Sequence, residues 1–350
     1  GSSLVTVEAT GWTYRYPTIT RVIEVRFRKP VWSEYIVLSN DNLRFGAGTE
    51  VFGKIHSNYG IRFDGFAHNV ISSSLSQYND PDHTGGDEFG VHTHDSPTDP
   101  LPPTAVPDRS DVFGGGRSFP TATTDFNGVL GDLSYIKSVA QAGTDGSLYF
   151  DNAHQGRHII LNADDTFSIR IVRSFNASSN EINSYQGGWA TYQIPNDGVI
   201  FVENNVWLEG AVNGKRVTIV AANLISSSQK SMYIGKDIRY TNYDCSDIIG
   251  IIGQSDVEIY QGSENDLRID GAMIAQTGRA GRDHYTGAGA TRSVLTIYGA
   301  IASNQRYGFA WTDGTGYTTR NLYYDNNLLY CPPPYFPTGT QYEMDLWEER

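Results

Sequence analysis

One short frame recurs along this 350-residue chain: two apolar residues alternate with two other residues and then meet a glycine. It reads Ile61-Arg62-Phe63-Asp64-Gly65, Val206-Trp207-Leu208-Glu209-Gly210, Leu267-Arg268-Ile269-Asp270-Gly271 and Leu295-Thr296-Ile297-Tyr298-Gly299. A period of two sends the first and third side chains to one face, inward, and the second and fourth outward. The glycine then lets the backbone turn a corner without a Cβ clash. After three of these glycines a new apolar strand starts at once, in Gly210-Ala211-Val212, Gly271-Ala272-Met273-Ile274-Ala275 and Gly299-Ala300-Ile301-Ala302. A second echo, Gly-x-Ile-x-Ser-Asn, links Gly53–Asn58 to Gly299–Asn304, so both ends of the chain use the same rung geometry.

Short strands with small corner residues predict an all-β chain, a right-handed parallel β-helix (β-solenoid) in which each turn buries its inner face on its neighbours. The handedness follows from the general preference of parallel crossovers. The rival, a β-sandwich with coincidental glycines, requires longer polar turn clusters at regular spacing.

The frame also divides the chain. Residues 1–39 hold paired strands, Leu4-Val5-Thr6-Val7 and Ile19 to Phe27; residues 40–76 hold the first rungs, 196–304 the main rungs and 305–350 a C-terminal cap. Residues 77–195 form an insertion. It opens with a loop rich in Asp, His, Pro and Gly, from about Gln77 to Asp125, too long for a simple connector. An amphipathic helix over about 126–142 follows, with Phe126, Val129, Leu130, Leu133, Ile136, Val139 and Ala140 on one face, Asp125 as its cap and Gly143 as its end. Next come His158–Leu161 and Phe167–Val172, a strand pair joined by the turn Asn162-Ala163-Asp164-Asp165.

Asp and Glu total 39 against 26 Lys and Arg, a formal charge of −13, which repels nucleic-acid phosphates and anionic headgroups. The densest basic cluster is only Arg26, Arg28 and Lys29. No run of about 20 apolar residues is present to span a membrane. Gly1-Ser2-Ser3 reads as a leftover of cloning and leaves room for a signal or anchor segment upstream. Cys245 and Cys331 belong to no metal-ligand spacing; they are either a disulfide in an oxidising compartment, worth roughly 4 kcal/mol from loop entropy, or two separate buried thiols.

The metal candidate is the set His83, Asp87, Glu88, His92, His94 and Asp95. In an extended segment His92 and His94 project from one face, a spacing that suits a divalent ion with carboxylates completing the shell. Calcium held by Asp80 and Asp82 is a comparable reading, and a solvated acidic loop is the plain one. No resident cofactor is otherwise expected. Glycosidic hydrolysis would need two carboxyl groups facing one cleft. Asp64 and Asp270 stand before corner glycines and Asp164-Asp165 form a turn pair, all ordinary corner and turn chemistry, so no catalytic residue is assigned and the chain is not expected to be an enzyme. Outward aromatics offer a binding face instead: Trp207, Tyr260 and Tyr298 could stack on sugar rings, unless the insertions cover them.

Three blocks carry a resemblance. Val51-Phe52-Gly53-Lys54-Ile55-His56-Ser57-Asn58-Tyr59-Gly60-Ile61-Arg62-Phe63-Asp64-Gly65, Gly198 to Gly210, and Leu328-Leu329-Tyr330-Cys331-Pro332-Pro333-Pro334-Tyr335-Phe336-Pro337 resemble, in order, a PilX-like, type IV pilus-associated family of bacterial surface proteins. Cys331 departs from that pattern. The resemblance implies a prepilin helix upstream, pilin-like strands such as Thr20–Val25, a β-solenoid passenger, and a minor-pilin or adhesive role outside the cell. Its expected partners are pilus or filament subunits and a polysaccharide or a host or solid surface, with membrane contact only through the upstream segment. Polysaccharide lyase or hydrolase activity and DNA capture, the latter suggested by a relative in a thermophile's competence system, are the alternatives.

Overall fold

The computed structural model describes residues 4–29, 31–126, 129–338 and 342–349, and is mostly β with one α-helix. Gly1-Ser2-Ser3 lies outside the described residues. So do the side chains of Val129 and Leu130 and residues 127 and 128, where the cap by Asp125 would act.

Two compact units are present, one made of residues 1–32 and 337–350 and the other of residues 33–336. In the smaller, strand Leu4–Thr13 pairs antiparallel with Tyr16–Arg28, which pairs in turn with Glu343–Glu349. Val7 faces Val25, and Val25 faces Trp347. The larger unit is thus an insertion between the second and third strands of the smaller. The chain closes at the smaller unit's edge, where Trp32 N donates to Pro337 O at 3.3 Å. The division falls at residue 33 rather than 39, and the expected C-terminal cap is cut at residue 336.

The larger unit is built from parallel ladders. Strands Gly198–Val202, Arg216–Ala221, Ile248–Gly253, Asp266–Ala275 and Thr291–Ser303 pair in series. A second ladder joins Val206–Leu208, Met232–Ile234, Val257–Ile259 and Ala280–Gly281. A third joins Ile238, Ile269, Ile297 and Leu322. The chain visits the three in rotation, so residues about 22 to 32 apart become neighbours: Ile219 pairs with Ile251, Ile251 with Met273 and Met273 with Ile301.

That file does not end at the chain's last rung. Ile301 pairs with Val37, Val37 with Ile55 and Ile55 with Ile71, so the earliest strands stack onto the latest. Each of these residues is at most 2% exposed, and burying such a side chain contributes roughly 1.5–3 kcal/mol. The Gly-x-Ile-x-Ser-Asn echo acquires its physical meaning here. Ser303, Ser39 and Ser57 stand in register, and Asn40 and Asn58 form a side-chain ladder with Asn304, Asn40 Nδ2 donating to Asn304 Oδ1 at 2.8 Å and Asn58 Nδ2 to Asn40 Oδ1 at 2.6 Å. The sequence frame overlooked the middle rung, Val37-Leu38-Ser39-Asn40, because no glycine precedes it.

Corner glycines sit inside continuous strands rather than between separate ones. Gly271 and Gly299 pair with one another at φ +149° and +155°, and a Cβ on Gly299 would lie 1.9 Å from the Gly271 carbonyl oxygen. No other residue type fits that approach.

The helix Val129–Ala142 buries Leu133, Ile136, Val139 and Ala140, packs beside strands Leu148–Phe150 and Gly198–Val202, and ends at Gly143, φ +68°. Strands Gly156–Leu161 and Thr166–Asn176 form the antiparallel pair around Asn162–Asp165, and Glu181–Gln193 adds a third. The segment after Gln77 is ordered: Gln77–Tyr78 pairs with Glu88–Phe89, and Val91–His92 joins Ile61–Phe63 in parallel. Cys245 and Cys331 form a disulfide across 86 positions.

Candidate functional site

Two places gather chemistry. The first is a recess of about 240 Å³ lined by His158, Glu181, Tyr185, Trp207, Glu209, Lys236 and Tyr260. Glu209 stands at its base because it precedes the corner Gly210 and pairs opposite Ile160. His158 Nε2 lies 3.1 Å from Glu209 Oε1, and Lys236 Nζ lies 3.1 Å from Oε2. His158 Nδ1 and the Tyr185 hydroxyl are 2.8 Å apart. Burial alone would raise the Glu209 carboxyl, but the hydrogen bonds and charges of His158 and Lys236 outweigh it and hold it below its ordinary range. Burial and the Glu209 charge push the Tyr260 phenol up. Beside the recess, Arg170 lies over the Tyr185 ring at 4.5 Å, and Trp189 is 43% exposed.

The three aromatics expected to form one exposed file do not. Trp207 is buried rather than exposed because the insertion covers it: Phe175 of the three-stranded hairpin lies edge-on at 5.2 Å, Tyr233 stacks on it at 4.9 Å, and its indole N–H donates to Asn180 O at 2.8 Å. A desolvated indole N–H needs such an acceptor. Tyr260 is half-buried and shares the recess with Trp207. Tyr298 lies elsewhere, because its strand position pairs with Asp270 and Tyr323 on another ladder; its hydroxyl donates to Asp325 at 3.2 Å.

The second place lies in the loop after Gln77. Two overlapping triads, Asp80–His92–His94 and His83–Glu88–His94, each bring three ligand atoms within 4.8 Å of one another. His92 Nε2 is 3.6 Å from Asp80 Oδ2, His94 Nε2 is 3.3 Å from Glu88 Oε1, and His83 Nδ1 is 3.4 Å from the same oxygen. Asp80, Glu88 and His92 are almost wholly buried. Even so, both ring nitrogens of His92, Asp80 Oδ2, Glu88 Oε2 and the Tyr78 hydroxyl have no hydrogen-bond partner. Asp87 and Asp95 are exposed and stand outside both triads. Asp82 is taken by Arg306 at 2.6 Å, which removes it from a calcium pair with Asp80.

The carboxylates weighed for catalysis are occupied. Asp64 accepts from Arg62 Nε at 2.7 Å and from the His94 N–H at 2.7 Å. Asp270 is fully buried beneath its partners; it accepts from Arg268 Nε, the Tyr243 hydroxyl and the Tyr240 N–H at 2.7, 2.7 and 3.1 Å. Asp164 accepts from the Thr166 N–H and hydroxyl, and Asp165 takes φ +70° in the same turn.

No protein-family profile matches the chain. No curated protein matches it either. Among solved structures it is similar to the competence-associated pilin ComZ from Thermus thermophilus, at 9% identity and a TM-score of 0.41, over 99% of this chain and 81% of that one. A likeness at that level does not establish a common fold.

Proposed function

We propose that this chain is a non-catalytic extracellular surface module that holds a sugar ring in the recess around Tyr260 and Glu209, on a scaffold whose three parallel ladders are the faces of a right-handed β-helix. The recess carries the reading. It sets an aromatic ring beside the carboxylates Glu181 and Glu209, an imidazole and an ammonium group, the combination that stacks on an apolar sugar face and bonds its hydroxyls. Despite its burial, the Glu209 carboxyl is held below its ordinary range by its bonds to His158 and Lys236, which suits it to accept from sugar hydroxyls. The disulfide fits an oxidising compartment. Display on a pilus-type filament is what the three PilX-like blocks imply, and the formal charge of −13 disfavours DNA as the captured ligand.

A glycan array followed by titration of the retained sugars tests this. Tyr260→Ala and Glu209→Gln should each weaken binding by roughly tenfold or more, the loss of about 1.4 kcal/mol, while Tyr298→Ala leaves it unchanged. An array with no retained glycan sinks the carbohydrate reading. Release of reducing ends that Glu209→Gln abolishes sinks the non-catalytic one, and a gel shift at low salt would favour DNA instead.

A further inference from the structure

The loop after Gln77 buries polar atoms that nothing in the protein satisfies, and their spacing matches that of a metal shell. Around a tetrahedral zinc-class ion with bonds of about 2.0–2.2 Å, neighbouring donor atoms stand roughly 3.3–3.6 Å apart. Here His92 Nε2 and Asp80 Oδ2 are 3.6 Å apart, and the ligand atoms of Asp80, His92 and His94 all lie within 4.8 Å of one another. Leaving a buried polar group unsatisfied costs about 1–3 kcal/mol, and both His92 nitrogens, Asp80 Oδ2 and Glu88 Oε2 are in that condition. A fold that keeps several such groups at one point has a reason to, and a cation is the partner common to carboxylate oxygens and imidazole nitrogens. We propose that Asp80, His92 and His94 bind one divalent first-row transition ion of the zinc class, with Glu88, which joins His83 and His94 in the adjoining triad, outside that shell.

The donor chemistry selects among ions. Two imidazoles favour zinc, nickel, copper or cobalt over calcium and magnesium, which take oxygen ligands almost exclusively. Part of the surroundings is already held in place: Asp80 Oδ1 accepts from the Asp82 backbone N–H at 2.9 Å, and the His94 backbone N–H donates to Asp64 at 2.7 Å. Arg62 is placed to compete, its Nη1 3.9 Å from Asp80 Oδ2, but its Nε is committed to Asp64 at 2.7 Å. His83 is more exposed than His92 and His94 and lies 3.4 Å from Glu88.

Chelator-stripped whole chain titrated with zinc chloride by calorimetry, and with cobalt chloride in the visible spectrum, provides the test. One ion should bind per chain, the cobalt form should show the strong visible bands of a low-coordinate site, and zinc should raise the Tm. Asp80→Asn and His92→Gln should each weaken zinc by roughly 100-fold or more, and His83→Ala by no more than about tenfold. Metal-free circular dichroism and Tm of each variant, matched to the metal-free parent, separate lost ligation from lost folding. No stoichiometric zinc binding overturns the proposal, as does binding that survives Asp80→Asn and His92→Gln. Loss of binding in His83→Ala with Asp80→Asn unaffected would overturn the assigned ligand set, and a preference for calcium over zinc would overturn the ion class.

Discussion

The long ladders between Leu148 and Tyr324 and the loop between Tyr78 and Asp99 both bury charged side chains, and Asp270 and His92 mark the two extremes of how such groups are treated. In the ladders Asp270 accepts from three donors, and the two terminal nitrogens of Arg282 reach the carbonyls of Ile259, Tyr260, Gln261 and Gly289 and the Ser263 hydroxyl, leaving only its Nε without a partner. In the loop, Asp80, Glu88 and His92 are as deeply buried but keep atoms without partners. A charge whose bonds are filled holds a fold together; one whose bonds are left open is set aside for something the chain does not contain. Burial alone does not distinguish the two, whereas the count of partners does.

Removing a filled charge should cost most. Asp270→Ala leaves Arg268, Tyr243 and the Tyr240 N–H without their acceptor, and urea unfolding should report a loss of about 3–5 kcal/mol. A loss under about 1 kcal/mol would break the contrast. Opening the disulfide with Cys245→Ser and Cys331→Ser should cost roughly 4 kcal/mol from loop entropy alone, read as a shift in the denaturation midpoint.

Glu258 sharpens the contrast on the pH axis. Burial first, and then the Asp283 charge, push its carboxyl up to about 8, so it is neutral where an unfolded glutamate is ionised. The folded state therefore binds the extra proton between the two values. Its contribution is complete below about pH 4.5 and is lost as the pH rises toward 8. Glu258→Gln should flatten the fall in stability across that window, and an unchanged slope would mean the proton is not held there. The smallest effect belongs to the open cluster. In chelator-treated protein His92→Phe should move stability by less than about 1 kcal/mol or raise it, because it removes unsatisfied atoms rather than bonds. A loss of several kcal/mol would place His92 with the filled charges.

Much of the ladder region is legible in residues. Leu267, Ile269, Leu295 and Ile297 announce their buried face by alternation, and Gly271 and Gly299 announce the corner because no side chain fits there. The helix and the Asn162–Asp165 turn are legible for similar local reasons. Trp207 was misjudged since alternation reveals which face a residue takes but not what later folds over it; Phe175 comes from a hairpin 32 positions upstream. The recess partners His158, Tyr185 and Lys236 were missed for the same reason, as they meet Glu209 only through pairing. Of the loop residues, the His92-x-His94 spacing gave a local signal, while Asp80 and Glu88 join them through the antiparallel pairing of Tyr78 with Glu88.

Stack order and chain order differ, and this bears on how the molecule is made. Asn40 waits for Asn304, 264 positions later, before its rung has a neighbour on that side. At about 5–20 residues per second, that is on the order of 15–50 s of synthesis during which the edge of Tyr35–Ser39 has no mate. Until the chain's final turns emerge, that open strand edge is available for pairing with another chain.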